Sequence, residues 1–409
     1  MGAEIVNVDG AALIVESDRK LPIISMRILF LASGSINDQH SPGLAQITAA
    51  ILGEGTKKLG AVKFARLLEE KAVHLSADST REIFYLDLSS LSEQFNDGFN
   101  LAVDLIKNPN LSSGALKKVK TQTIGELMRK ENDFDYQASV GLQALLFEKT
   151  PLEKPTLGDI KSVEKISLKE VENFIKTSLA RERVVVLFGG DIDVEVSKKY
   201  TEKLLRVLPR GKKLELARIE ARKSPTQKRV KKETKQAYLY FGSPMFMKAG
   251  DDETYKATVA SYILGGGGFG SRIMEEIRVK RGLAYSAYGN IYLGITHSVF
   301  KGHLQTKLES LDEAKKVVVE VIDNFVQKGA TEDELNNAKL FLLGSEPLRN
   351  ETMNQRLSRS FNDYYYGKPQ GWHSAQLKKI ESLTLSELND FIKSRKEITN
   401  LTYFVVEAK

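Results

Sequence analysis

A chain of 409 residues without a single cysteine must do any chemistry with histidines, carboxylates, hydroxyls and fixed cations. The missing thiols exclude disulfides, thiolate nucleophiles and sulfur-ligated zinc. A metal centre would need imidazoles and carboxylates, and two imidazoles four residues apart would share one helix face. The five histidines, His40, His74, His297, His303 and His373, contain no such pair. A glycine run over 265–270 formally fits Gly-x-Gly-x-x-Gly through Gly265, Gly267 and Gly270. That motif holds pyrophosphate when a strand leads into it and a helix N-terminus follows. Here Lys256 to Leu264 reads as a helix and no Walker lysine follows, so the run is expected to be a hinge or turn between two helices. Arg278 and Tyr285 stand seven residues apart. Taken alone, the two read as a surface arginine near a helix end and a half-buried strand tyrosine.

The elements that must hold these residues fall into two halves. Leu208 to Lys235 carries eleven Lys/Arg against three Glu, a net +8 against +7 for the whole chain. With Pro209, Gly211 and Pro225 and no sustained apolar period, it has the composition of a linker. The basicity is therefore local, and without aromatics or a recognition motif it argues against nucleic acid. An acidic partner is the alternative to plain solvation. On either side the sequence repeats: Ile160 to Lys176 matches Leu377 to Lys393 with seven identities. In both copies a Ser or Thr (Ser167, Thr384) precedes a Glu (Glu170, Glu387) by three residues, the pattern of a capping box. Each predicted helix runs into an apolar, β-branched strand, 183–188 or 401–406. Further back, strand-like segments (23–32, 236–241) precede helical ones (44–52, 258–264) in the same order. Helices and strands without strict alternation predict an α+β fold of two homologous domains, each a mostly antiparallel sheet covered by helices. The expected spans are 1–207, a linker 208–235, and 236–409. At 42% apolar and 28% charged residues, with the longest early apolar stretch broken by Arg27, no membrane span is expected. Met1-Gly2-Ala3-Glu4 has neither the basic start nor the apolar core of a signal peptide.

Two segments resemble the pitrilysin or insulinase-like zinc metallopeptidases, the inverted-zinc-motif family. Pro42 to Thr56 resembles the family helix that reads His-x-x-Glu-His, but here the three positions are Gln46, Ala49 and Ala50. Leu264 to Arg272, continuing through Glu276 to Ser286, is similar to the signature of the family's second domain. The resemblance covers essentially the whole chain. It implies that Glu126, 76 residues beyond Ala50, matches the third-ligand position, and that Arg278 and Tyr285 match the arginine and tyrosine that reach into the zinc cleft. Both imidazoles and the general base are missing, so the resemblance implies no metal and no cofactor in this chain. Ala49 and Ala50 are expected to pack a helix interior. Ala77 to Leu86 is similar to the family strand whose edge pairs with extended peptide.

The resemblance thus implies a non-zinc-binding subunit of a heterodimeric peptidase. The zinc would lie in a homologous His-x-x-Glu-His partner, and this chain would supply Arg278 and Tyr285 as catalytic residues acting on peptide or unfolded protein. The alternative is a catalytically inert homologue serving as a scaffold or peptide-binding protein. The chain opens almost directly on its first strand, as secreted bacterial relatives do after signal removal, which implies the periplasm, with the cytoplasm as the alternative.

Overall fold

A computed structural model describes residues 3–38 and 40–409, so Met1, Gly2 and Gln39 lie outside the described residues, the first two belonging to the Met1–Glu4 start that lacks the features of a signal peptide. The chain forms two compact units. The first gathers the chain up to Arg129, then Lys154–Leu216 and Asn350–Asn362; the second gathers Lys130–Glu153, Ala217–Arg349 and Asp363–Lys409.

The first unit is built on six strands: β1 (Glu4–Val8), β2 (Ala11–Ser17), β3 (Ile23–Leu31), β4 (His74–Ser79), β5 (Ile83–Leu91) and β6 (Val184–Gly190). Their spatial order is β1-β2-β6-β3-β5-β4, antiparallel except for β2 beside β6. The second has five: β7 (Gln227–Lys232), β8 (Gln236–Pro244), β9 (Ala284–Leu293), β10 (Ser298–Lys307) and β11 (Thr402–Ala408). Their order is β7-β11-β8-β10-β9, with only β7 and β11 parallel. Without β1 the two sheets have the same topology strand for strand. The expected α+β class with mostly antiparallel sheets is what the chain adopts.

The repeat seen in the sequence is the helix before each central strand. Ser167 caps Leu168–Ser178 and Thr384 caps Leu385–Ser394, each in a reciprocal box with its Glu. Those helices deliver the chain to β6 and β11, which are buried almost along their whole length. Successive residues of a strand point to opposite faces, so such a strand needs cover on both. Phe188 of β6 packs on Phe95 at 5.9 Å, within a cluster that includes Tyr200. The next residue, Gly189, lies so near the helix Met353–Tyr365 that an added Cβ would meet Leu357 at 2.5 Å. Arg356 on that helix pairs with Glu16, which is buried, and with Asp18 at 3.5 Å. In the second unit Tyr403 of β11 faces Lys315 of the helix Leu311–Lys328, at 4.3 Å. Its neighbour Phe404 lies against the helix Phe134–Leu146, where a Cβ on Gly141 would come within 2.4 Å of the ring.

Each unit therefore takes one covering helix from the other half of the sequence, and the units differ from the spans 1–207 and 236–409. Two further readings are corrected. The basic stretch is not all linker, since Gln227–Lys232 is the edge strand β7, whose five polar side chains concealed it. Ala77 to Leu86 is not one strand but the end of β4, a turn at 80–82 and the start of β5.

A fragment 217–409, lacking the helix that covers Phe404, is expected to lose near-ultraviolet circular dichroism and to melt without cooperativity. Appending 130–153 should restore a sharp transition, because Leu142 and Leu146 each contribute roughly 1.5–3 kcal/mol by burial. A cooperative melt of the bare fragment would contradict this account.

Candidate functional site

The helix Leu44–Leu52 starts from Gly43 in the left-handed region, with φ 95°. Its first turn is held by Asp38, whose Oδ2 accepts the Ala45 N–H at 2.9 Å. Burial pushes the Asp38 carboxyl up to about 7, against the opposing pull of that hydrogen bond, and its Oδ1 has no partner among the described residues. On this helix the Gln46 amide donates to Ser79 O at 2.7 Å and Asp78 Oδ1 at 3.1 Å, which ties the helix to the edge strand β4. Ala49 lies in the core. Ala50 is exposed, so the expectation that both alanines pack inside holds for one of them.

Glu126 is half-buried on the helix Ser113–Lys130. Among the described residues no three His, Asp or Glu gather in a group that could hold a metal. The donor set at 46, 49, 50 and 126 is an amide already committed to a strand, two methyl groups and one carboxylate. Zinc hydrolysis needs three ligands and a base. These residues do not fit zinc, and no metal step is assigned to this chain. Two of the histidine rings serve packing: His297 meets Phe147 edge-on at 5.1 Å, and His303 stacks on Tyr240 at 5.1 Å and is held below its ordinary value by burial.

In the second unit the helix Thr254–Ser261 continues as a π-helical turn, Tyr262–Gly266, laid on β9. Gly265 makes the approach possible, because a Cβ there would meet the Gly289 backbone at 2.5 Å, and Ser261 Oγ accepts the Ile291 N–H at 3.0 Å. The first part of the glycine run is thus packed against a strand, and the turn proper is 267–270. Helical turns resume at Arg272–Met274 and Glu275–Val279 and end at Gly282, whose φ of 61° few other residues adopt. Thr306 Oγ1 donates to Leu283 O at 2.5 Å and fixes the entry to β9, where Tyr285 stands.

This turn brings Arg278 and Tyr285 together and adds a third residue. The Arg278 guanidinium lies over the Tyr285 ring at 4.4 Å and over the Phe269 ring at 4.6 Å. The tyrosine is 81% exposed and the phenylalanine 63%. Neighbouring cations are satisfied by carboxylates: Arg272 by Glu334 at 2.6 Å, Lys280 by Glu276 at 2.7 Å, and Arg281 by the same Glu276, which both hold below its usual range. Arg278 forms no ion pair among the described residues. An unpaired guanidinium over two exposed rings has N–H donors that could bind an anion. Phe269 went unnoticed in the sequence, although a lone aromatic between glycines is a signal for an exposed ring.

The sequence matches the family model described as Insulinase (Peptidase family M16) over residues 15–160, and the one described as Peptidase M16 inactive domain over 165–342. It is similar to the non-peptidase homolog YmxG of Helicobacter pylori, with 40% identity over 397 residues, 97% of this chain and 92% of the relative. An uncharacterized zinc protease of Mycobacterium tuberculosis is 24% identical over 357 residues, 85% of this chain and 80% of its own. In fold the chain resembles a crystal structure of a peptidase M16 inactive domain from Pseudomonas fluorescens (TM-score 0.91, 23% identity, covering 100% and 98% of the two chains). It also resembles the periplasmic protease PqqL from Escherichia coli (TM-score 0.80, 14% identity), covering 100% of this chain and 47% of that one.

The state of Asp38 sets a pH dependence. Its folded value, about 7, lies above the unfolded value of about 3.9. Its favourable contribution is therefore full below pH 4 and is lost as pH rises through 7. In urea denaturation Asp38→Asn should gain stability relative to the wild type between pH 5 and pH 8, by up to a few kcal/mol. Parallel pH profiles for the two proteins would rule this out.

Proposed function

The chain belongs to the M16 (insulinase) peptidase family, and from that membership we propose that it is a non-zinc-binding subunit that lends Arg278 and Tyr285 to a homologous His-x-x-Glu-His chain. The observation that carries this reading is the unpaired guanidinium between Phe269 and Tyr285. A drifting surface arginine would gain as much from Glu275 or Glu276 as its neighbours do. This one instead lies over two rings, at 4.4 and 4.6 Å, with no carboxylate paired to it among the described residues.

When bound in the partner, zinc supplies the activated water. The residues of this chain then receive the charge that develops on the substrate. As a peptide carbonyl is attacked, its oxygen becomes negative, and Arg278 donates to it from a preset plane. Tyr285 contributes its ring to the clamp and its hydroxyl as a second donor. Preset donors stabilise a transition state without the cost of reorganising at the moment of reaction. Phe269 is the positioning residue, because it limits the rotamers that Arg278 would otherwise sample. The proposed substrates are peptides or unfolded proteins, and the proposed compartment is the periplasm, with the cytoplasm as the alternative. Among the described residues no helix is long and apolar enough to cross a membrane.

Co-expression with a His-x-x-Glu-His homologue should yield a complex that cleaves peptides, with zinc bound through the partner. In that complex Arg278→Ala should lower kcat by roughly 10²–10³ and Tyr285→Phe by about tenfold. Wild-type rates for both variants would sink the shared-site reading. Peptide binding without cleavage in any pairing would return the scaffold reading.

Phe269→Ala tests the clamp separately. With Arg278 still present but loosened, the expected outcome is a fall of about three- to tenfold in kcat with KM nearly unchanged. A change confined to KM would make Phe269 a substrate contact instead.

A further inference from the structure

The two sheets share one topology except at a single edge. In the first unit β2, parallel to β6, is itself covered by β1, which pairs with it antiparallel from Glu4↔Val15 to Val8↔Ala11. In the second unit β7 takes the place of β2, parallel to β11, and among the described residues no strand pairs with its outer side. The hydrogen-bond phase of β7 is set by Tyr403 N–H donating to Thr226 O at 2.9 Å and Lys409 N–H to Lys232 O at 3.1 Å. Alternate residues of a strand in a parallel ladder bond to one neighbour. The even-numbered residues therefore face β11, and the backbone N–H and C=O of Gln227, Arg229 and Lys231 face outward. All three residues are exposed.

The side chains along this edge are cationic. Lys228, Arg229, Lys231 and Lys232 lie on β7, with Lys235 just after it and Lys315 beside Gln227. Glu407 offsets part of the charge through Arg229 at 3.4 Å and Lys231 at 3.1 Å, and Asp312 takes Arg229 at 3.0 Å. Glu233 is paired with Lys409. Lys228, Lys232 and Lys235 have no anionic partner among the described residues. Lys315 is held below the ordinary lysine value by burial and by the nearby Arg229 charge. Lysines on a free edge keep neutral strands from adding to it. They repel any strand except one that brings opposite charge.

We infer that the outer edge of β7 is a docking site for an acidic, extended polypeptide segment of a partner protein, which adds as an antiparallel strand in the position β1 occupies in the first sheet. Backbone bonds to Gln227, Arg229 and Lys231 give the register, and the flanking lysines select for glutamate or aspartate. This surface lies on β7, at the opposite end of the sheet from β9 and Tyr285, so the inference stands independently of the shared-site reading.

The test uses the full chain and a ten-residue peptide alternating glutamate with valine, titrated by calorimetry at low salt. The peptide is expected to bind. The same peptide N-methylated at the amides on one strand edge keeps its charge and should bind at least tenfold more weakly, once the methylated edge is the one facing β7. Lys231→Pro removes an outward N–H while sparing the ladder to β11, and should cost a similar factor. The double variant Lys228→Glu with Lys232→Glu should abolish binding without altering the thermal melt. If the proline variant fails to fold, the N-methylated peptide and the charge-reversal variant still decide. No binding, equal binding by the methylated peptide on both edges, or equal affinity for a single-stranded oligonucleotide of the same charge would each overturn the inference, the last two by showing a surface that reads charge alone.

Discussion

The rest of the molecule depends on one packing requirement: the central strands β6 and β11 are apolar on both faces and must be covered on both. Local helices cover one face of each. The other is covered by a helix from the opposite half of the sequence, seated on Gly189 in one unit and brought close to β11 by Gly141 in the other. The interiors of proteins are close-packed, so such a contact tolerates little change in volume. Repeating the same solution twice explains why duplicated sequence produces duplicated topology, and why neither half is complete alone.

Around that fixed centre the two sheets diverge where packing constrains them least. In the first unit the positions of the zinc motif have become an amide that caps a strand edge, one core methyl and one solvent-facing methyl. In the second, Arg278 lies over Phe269 and Tyr285 beside a turn whose geometry is over-determined by Gly265 on β9, Gly282 at the helix end and Thr306 on Leu283. A guanidinium stacked between two rings is worth roughly 0.5–1 kcal/mol per contact at an exposed site, about the scale of the surface ion pair it forgoes. Stability does not choose between the two arrangements, and the stacked one leaves the donors available.

Much of the architecture was legible in the sequence because it is written in local patterns. Ser167 with Glu170 and Thr384 with Glu387 mark their helices, the β-branched runs mark β6 and β11, and the spacing of Arg278 and Tyr285 brackets the turn that joins them. What escaped has physical reasons. The segment Gln227–Lys232 is an edge strand with a solvated outer side, so it carries no apolar alternation. The cover supplied by Phe134–Leu146 to β11 is a long-range pairing that no periodicity encodes. Phe269 is defined by what it touches, and a sequence shows a ring without showing its neighbour. Asp38 looks like an ordinary turn residue until its burial is known.

Ala50 is exposed, and Gln46 meets only the margin of a strand. Of the three positions that would carry the reactive groups of this fold, only Ala49 fills the core, while the other two sit at its margin. Chemistry and architecture therefore overlap at one residue of this helix, and a change at the other two disturbs little of the packing. A duplicated scaffold of this kind is free to evolve by division of labour, since a copy can give up its reagent and still pass on its shape.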